Sequence, residues 1–388
     1  MQTLPRLKLK AGKERPILQR HHWIYSGAIK ELPKEGTLAS VESAKGDLLG
    51  LAFLNPGHSI AAHMIAFGKE TLEEALSQRI KAAIALRRRL FDPAETNAIR
   101  LINAEGDGIP GLVVDAYADV LVVQISHIGL EPLKEEIVSL LKKEISPRAI
   151  YEKSTSFLRK KSGMEEVRAL LFGPEFPEIE VLENGLKFSV NVLTGQKTGL
   201  FLDQRNMRQL VRERAKNLRV LNGFAYTGGF TIAALAGGAS HVDHVEISHR
   251  CNEPLEKNLA LNHLEGRSQF IEQDFFDFFR TAKWDYDLVI LDPPAFVKKR
   301  DDIAKGFRAY KELNAHVLSK MAPGSLLLTC SCSYHIEEAL FQNILFRASL
   351  EAKRQVQILS RHRQALDHPV SLFHPESVYL KSFLLYVV

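Results

Sequence analysis

Cysteine is scarce in this chain: there are three in 388 residues, and two of them, Cys330 and Cys332, stand one residue apart. Three thiols cannot make a disulfide framework, and a pair this close staples nothing useful. The expected compartment is therefore a reducing one, the cytoplasm. A C-x-C with His335 nearby and His374 far along also falls short of a structural zinc set, so no metal is expected. No long apolar run appears, and no basic N-terminal segment leads into an apolar one. Neither a membrane span nor a signal peptide is expected. The dinucleotide-binding G-x-G-x-x-G is missing, as is the phosphate-gripping G-x-x-x-x-G-K-[ST]. Internal repeats and low-complexity tracts are missing too. Charge is not strongly of one sign: 51 Lys and Arg against 46 Asp and Glu give +5. That suits a nucleic-acid partner without requiring one.

What is present exceeds one ordinary core, and the rhythm of the chain predicts three parts. Residues 1–72 read as a small β-rich module, with alternation at Leu38–Val41 and turn signals at Asn55–Gly57. Its leading edge carries Arg6, Lys8, Lys10, Lys13, Arg15, Arg20 and Lys30, interleaved with Trp23 and Tyr25. Such a face can follow an RNA backbone and stack a base, or simply be solvated surface over core aromatics. Residues 73–178 read as an α+β part. Thr71 caps a helix with Glu73 and Glu74 in its first turn, and Leu72, Leu76, Ile80, Ala83 and Ile84 share a face. Pro93 stops that run after Arg87–Arg89, which can meet phosphate or face water. Residues 179–388 open on a hairpin turning at Asn184-Gly185. Continuous apolar strands then alternate with helices, the pattern of a mostly parallel sheet covered on both faces, with the last segments expected at an antiparallel edge.

Ligands in such sheets bind beyond the carboxyl ends of the strands. The first strand runs into "NGFAYTGG", Asn222 to Gly229, where Gly223 and Gly228 allow a tight turn and close approach. Asn222, Gly223, Phe224, Thr227 and Gly228 are therefore candidate cofactor contacts. The second strand ends in Glu246, placed for ribose hydroxyls. Asp274 and Phe275 follow the third, placed for an adenine amine and ring, and Asp292-Pro293 follow the fourth. Singly, these residues read as a surface acid, an N-cap and a turn. Three acids at successive strand ends point to a nucleoside-bearing cofactor.

"VLNGFAYTGGFTIAALAGGA", "VEIS", "QDFFDF" and "DPPAF" resemble the ordered motifs of class I S-adenosylmethionine-dependent methyltransferases. With "TGLFLDQR", "SCSYH", "HHWIYSGAI" and "AEGDGIPGLVVDAY", the chain resembles nearly end to end the large-subunit rRNA cytosine-5 methyltransferases of the RlmI type. The resemblance implies a PUA domain (a small RNA-binding β-barrel), a central α+β domain and a Rossmann-like α/β catalytic domain with a seven-stranded sheet. It implies S-adenosylmethionine as cofactor and RNA, namely 23S rRNA, as partner. One position departs: the family usually has Asp where Asn222 stands, which keeps a hydrogen-bonding group without the charge.

Cytosine C5 is a poor nucleophile until a thiolate adds at C6, so this chemistry needs a cysteine at the rim of the cofactor site. It also needs an acid near N3 or the exocyclic amine, and Asp292 is the candidate. By resemblance Cys332 aligns with the nucleophile. Strand alternation gives Cys330 and Cys332 the same face and does not separate them. Cys251 reads as structural. Lys298, Lys299 and Arg205 are candidate RNA contacts, and a homodimer is compatible with an exposed edge strand or apolar patch. The rival readings are a methyltransferase acting on another base atom without a thiol, and a non-catalytic RNA-binding assembly factor.

Overall fold

The structure, a computed structural model, describes residues 4–156, 159–160 and 162–388. The chain forms two units. The first comprises Met1–Leu182, Val190–Leu202 and Leu366–Ser377, and the second Glu183–Ser189, Asp203–Ala365 and Val378–Val388.

In the first unit, β1 (Arg6–Leu9), β2 (Trp23–Tyr25), β3 (Ile29–Glu31), β4 (Leu38–Glu42), β5 (Leu48–Leu54) and β6 (Ile60–Phe67) form one sheet. Their order is β2-β6-β5-β4-β1-β3. The alternation at Leu38–Val41 appears as alternating burial along β4, with Ala39 and Val41 inside. The helix Leu72–Leu90 starts as its sequence predicts. Thr71 accepts from Glu74 N and Glu74 returns the bond to Thr71 N, a capping box that satisfies two otherwise orphaned donors. Leu76, Ile80, Ala83 and Ile84 are buried on its inner face. A second sheet has the order β11-β10-β9-β8-β7, from β7 (Ala98–Asn103), β8 (Leu112–Tyr117), β9 (Val120–Ile125), β10 (Ala149–Ser154) and β11 (Val167–Phe172). β8 and β9 turn at Ala118–Asp119, and the helix Lys134–Ile145 crosses to the parallel neighbour β10.

One expectation fails here. Arg87 neither meets phosphate nor faces water: its side chain is 0% exposed and grips Asp107 with two bonds, of 2.6 and 2.7 Å. It also donates to Arg100 O and Asp367 O. A cation this deep is held only by a full set of acceptors, and one of them comes from residue 367.

β12 (Ile179–Glu183) and β13 (Leu186–Val190) form the expected hairpin; Asn184 and Gly185 have φ of 51° and 75°, as its tight turn requires.

The second unit holds a seven-stranded sheet of β14 (Arg219–Gly223), β15 (His241–Glu246), β16 (Ser268–Glu272), β17 (Leu288–Leu291), β18 (Leu326–Ser331), β19 (Val356–His362) and β20 (Lys381–Val387). The order is β16-β15-β14-β17-β18-β20-β19. β14 to β18 are parallel and β20 is antiparallel to both its neighbours. The chain winds outward from β14 in one direction and then from β17 in the other, so the crevice expected for a ligand lies beyond the ends of that pair. Leu221, Val289, Leu291 and Leu327 are fully buried in the sheet core, against Tyr310 and Leu313 of the helix Ile303–Lys320 and Phe341 and Ile344 of Glu338–Glu351. Among the described residues, no helix is long and apolar enough to cross a membrane.

Candidate active site

After β14 the backbone winds through left-handed conformations at Phe224 (φ 59°), Tyr226 (φ 50°) and Gly228 (φ 85°). Two of these carry side chains, and such strain persists only where surroundings enforce it, typically at ligand sites. The enforcement comes from Glu246 at the end of β15: Oε2 accepts from Tyr226 N at 2.9 Å and Oε1 from Ser248 N at 3.0 Å. Each carboxylate oxygen retains a second lone pair for a hydroxyl. Gly223 is required by contact: a Cβ there would stand 2.4 Å from the Phe275 ring, which stacks on Phe224 at 5.0 Å. Asp274 caps the helix Phe275–Thr281 through Oδ1, which accepts from Phe276 N. The carbonyl of Thr227 accepts from Asn258.

Asn222 is 1% exposed. Its Nδ2 donates to Thr231 Oγ1 at 3.0 Å, Thr231 lies 3.0 Å from His244 Nδ1, and His244 Nε2 lies 3.0 Å from Tyr226 O. Burial pushes His244 down to about 4, so the ring is neutral. One direction of donation satisfies every link: amide to hydroxyl, hydroxyl to Nδ1, and Nε2–H to the Tyr226 carbonyl. This run ties the first strand to the strained turn, and Asn222 Oδ1 is left buried without a donor among the described residues.

The two neighbouring cysteines differ in setting. Cys330 lies inside β18 at 0% exposure, and burial, followed by the charge of Asp292, pushes its thiol well above the ordinary value. Cys332 lies just past the strand end at Ser331 and is partly exposed, with Sγ 3.9 Å from Pro293 O. Its backbone is held through Ser333, whose Oγ lies 2.9 Å from the Tyr310 hydroxyl and accepts from Val297 N. Asp292 follows β17 and acts on both Cys330 and the buried guanidinium of Arg208. That guanidinium makes two 2.6 Å bonds to Glu183.

Sequence reasoning missed Lys381. It is 2% exposed at the start of β20, opposite Ser331, and its Nζ donates to Ser333 O and Tyr379 O at 2.6 and 2.7 Å. Burial pushes it down to about 8, and the neighbouring Cys332 pulls it back up. No carboxylate pairs with this ammonium among the described residues. A lysine opening an apolar strand reads as surface; only the sheet order exposes its place.

Of the expected RNA contacts, Lys298 and Lys299 are exposed after "DPPAF". Arg205 is not on that surface: it is 2% exposed, with Nε 3.5 Å from Glu183. Cys251 is buried ahead of the helix Asn252–Leu261, its thiol pushed up to about 11 by burial and by Glu246. In the first unit Trp23 donates to Glu105, and Tyr25 is 48% exposed.

Residues 131–358 match the family model for S-adenosylmethionine-dependent methyltransferases, and residues 7–67 match that for PUA-like domains. The chain is 38% identical to the ribosomal RNA large subunit methyltransferase I of Pseudoalteromonas atlantica, covering 98% of each chain. It is 36% identical to the protein of that name from Alteromonas mediterranea, covering 97% of each. Among solved structures, a methyltransferase complexed with SAH superposes with a TM-score of 0.87 at 25% identity, covering 99% of this chain and 100% of that one. The cofactor is S-adenosylmethionine. The chain belongs to the S-adenosylmethionine-dependent methyltransferase family and, within it, to the ribosomal RNA large subunit methyltransferase I group.

Proposed function

We propose that this protein methylates C5 of a cytosine in 23S rRNA through a covalent adduct with Cys332. The observation that carries the reading is the contrast between the two thiols. Cys330 is buried with its proton held on, whereas Cys332 is partly exposed beside Pro293 and acts on a buried lysine that has no carboxylate partner among the described residues.

The crevice residues suit the cofactor. Glu246 has lone pairs for ribose hydroxyls, Asn222 offers a buried unsatisfied acceptor for an ammonium, and Gly223, Phe224, Thr227, Gly228, Asp274, Phe275 and Pro293 line the strand ends around them. Bound there, S-adenosylmethionine supplies an electrophilic methyl group on a sulfonium. The Lys381 charge favours the Cys332 thiolate. The thiolate adds to C6 and the ring's electrons move toward C5 and N3, where a proton shared between N3 and the Asp292 carboxyl would stabilise the charge while the exocyclic amine donates to that carboxyl. C5 is then enamine-like and would take the methyl group from the cofactor, with the S–CH3 bond breaking and S-adenosylhomocysteine leaving. Loss of the C5 proton to a base and expulsion of the thiolate restore the ring. Lys298 and Lys299 serve RNA phosphates, and the PUA-like domain supplies shape and backbone recognition. Arg205, buried against Glu183, would support the site from within.

The test is methyl-labelled cofactor with unmodified 23S rRNA, digested to nucleosides, with Cys332→Ala alongside. The expected product is 5-methylcytidine, lost in the variant. Label in another nucleoside that survives the substitution would establish methylation of a different base atom without a thiol. RNA binding with no label in any nucleoside, on naked or assembling rRNA, would favour the assembly-factor reading, to which the uncharged Asn222 lends support.

A further inference from the structure

The aromatic and histidine cluster at the start of β2 is not explained by methyl transfer. His21 and the segment Leu366–Ser377 belong to the same unit although they are far apart in sequence. His21 Nε2 lies 3.2 Å from both carboxylate oxygens of Glu376, and His374 Nδ1 lies 3.7 Å from Glu376 Oε2. All three donor atoms fall within 4.8 Å of one another. His374 is 1% exposed, and its Nδ1 has no hydrogen-bond partner, although it is aimed at this carboxylate. A buried ring nitrogen left unsatisfied beside an acid needs an explanation, since such atoms are nearly always partnered.

We infer that His21, His374 and Glu376 form a binding site for a divalent transition-metal ion of the zinc class. Two imidazoles and one carboxylate are a donor set zinc accepts, with a fourth position left for water. Ligand atoms around a tetrahedral zinc stand roughly 3.3 Å apart, given bonds of about 2.0–2.2 Å. The carboxylate already stands near that spacing from both rings, and side-chain rotation closes the remainder.

The surroundings supply what metal-binding imidazoles need. His21 Nδ1 lies 3.1 Å from Trp23 N and 3.3 Å from Trp23 O. Without an ion, the Trp23 N–H donates to Nδ1, and Nε2 carries the proton that bonds Glu376. With an ion, the tautomer reverses: Nδ1–H donates to Trp23 O, and the Nε2 lone pair is released to the metal. A backbone carbonyl behind a ligand ring is the usual orienting partner. The Trp23 ring stands edge-on to His374 at 4.5 Å and fixes its plane. Other contacts already bind the segment to this unit: Asp367 O accepts from Arg87, Asp367 Oδ2 from Arg100 N, and Pro369 O from Asn103. The ion would be the final clasp, fixing residues 374–376 to β2.

The experiment uses the full chain, stripped with a chelator and titrated with Zn2+ in competition with a chromophoric zinc indicator. One equivalent should bind with a Kd of micromolar or below and raise the thermal midpoint. His374→Ala and Glu376→Gln should each weaken that binding at least 100-fold and abolish the midpoint rise. Glu376→Gln keeps an acceptor for His21 and hence the fold, so its loss of zinc reads out the missing donor. If no stoichiometric binding occurs, or if it survives both substitutions, the inference is overturned. The cluster is then a histidine–carboxylate contact and nothing more.

Discussion

At the scale of single residues, the division between Cys330 and Cys332 rests on where β18 stops. Alternation predicts one face for both, but the strand ends at Ser331, so Cys332 leaves the sheet while Cys330 stays in its core. Lys381 gives that difference a chemical edge. Removing its charge by Lys381→Met should move the pH at which Cys332 alkylates upward, with Lys381→Arg retaining much of the wild-type profile. The measurement is iodoacetamide reaction rate against pH in a Cys251→Ser, Cys330→Ser background. An unchanged profile would reduce Lys381 to a packing role. Sign matters for stability as well. The folded pKa of about 8 lies below the ordinary lysine value of 10.5, so the unfolded chain holds more protons between those values. The group therefore costs stability below pH 8 and ceases to do so as pH rises toward 10.5.

At the scale of elements, most of the strands were legible because a sheet covered on both faces needs unbroken apolar runs, and "YDLVIL" and "GSLLLTCS" have no other use. The Thr71 cap was legible because its partner is three residues away. Thr71→Ala should cost about 1 kcal/mol in urea unfolding, the usual worth of an N-cap. What sequence could not supply is burial decided by distant partners. Arg87 looked like one of three surface arginines; Asp107 and the carbonyl of Asp367 make it core. Arg205 was misplaced for a similar reason, since Glu183 lies across from it. The Glu183–Arg208 pair tests how far such networks matter. Glu183→Gln removes the carboxylate bonded to the buried Arg208 guanidinium, leaving only the more distant Asp203 and Asp292 charges, and should cost about 3 kcal/mol, read from the denaturation midpoint. A loss below 1 kcal/mol would mean that solvent reaches Arg208. In the glycine turn, Gly228→Ala meets both φ 85° and Leu255 Cδ1 at 2.4 Å, so it should weaken cofactor binding as well as stability, measured by calorimetric titration with SAH.

At the scale of the whole molecule, acid sensitivity follows from histidines buried as neutral rings in both units. His22 is pushed down to about 4 and His127 to about 3 in the first, and His244 to about 4 in the second, each chiefly by burial. Their ordinary value is 6.5, so between there and pH 4 the unfolded chain binds more protons at these sites. Stability from them is complete above pH 6.5 and is lost as pH falls through that window. The urea midpoint should be lower at pH 5 than at pH 7.5, and both units should contribute. Equal midpoints would mean these rings take up protons without unfolding.

The placement of β20 between β18 and β19 has a kinetic consequence. β19 is made before β20 yet has no neighbour until β20 arrives, and β18 waits across the helix Glu338–Glu351 for the same strand. Pairing Ser331 with Lys381 is a long-range closure, as is that of Val220 on Leu288 between β14 and β17, and such closures are slow relative to local βα steps. Thiol and lysine meet only when that closure is made, so the rate at which Cys332 gains its native reactivity during refolding is a clock for the docking of β20.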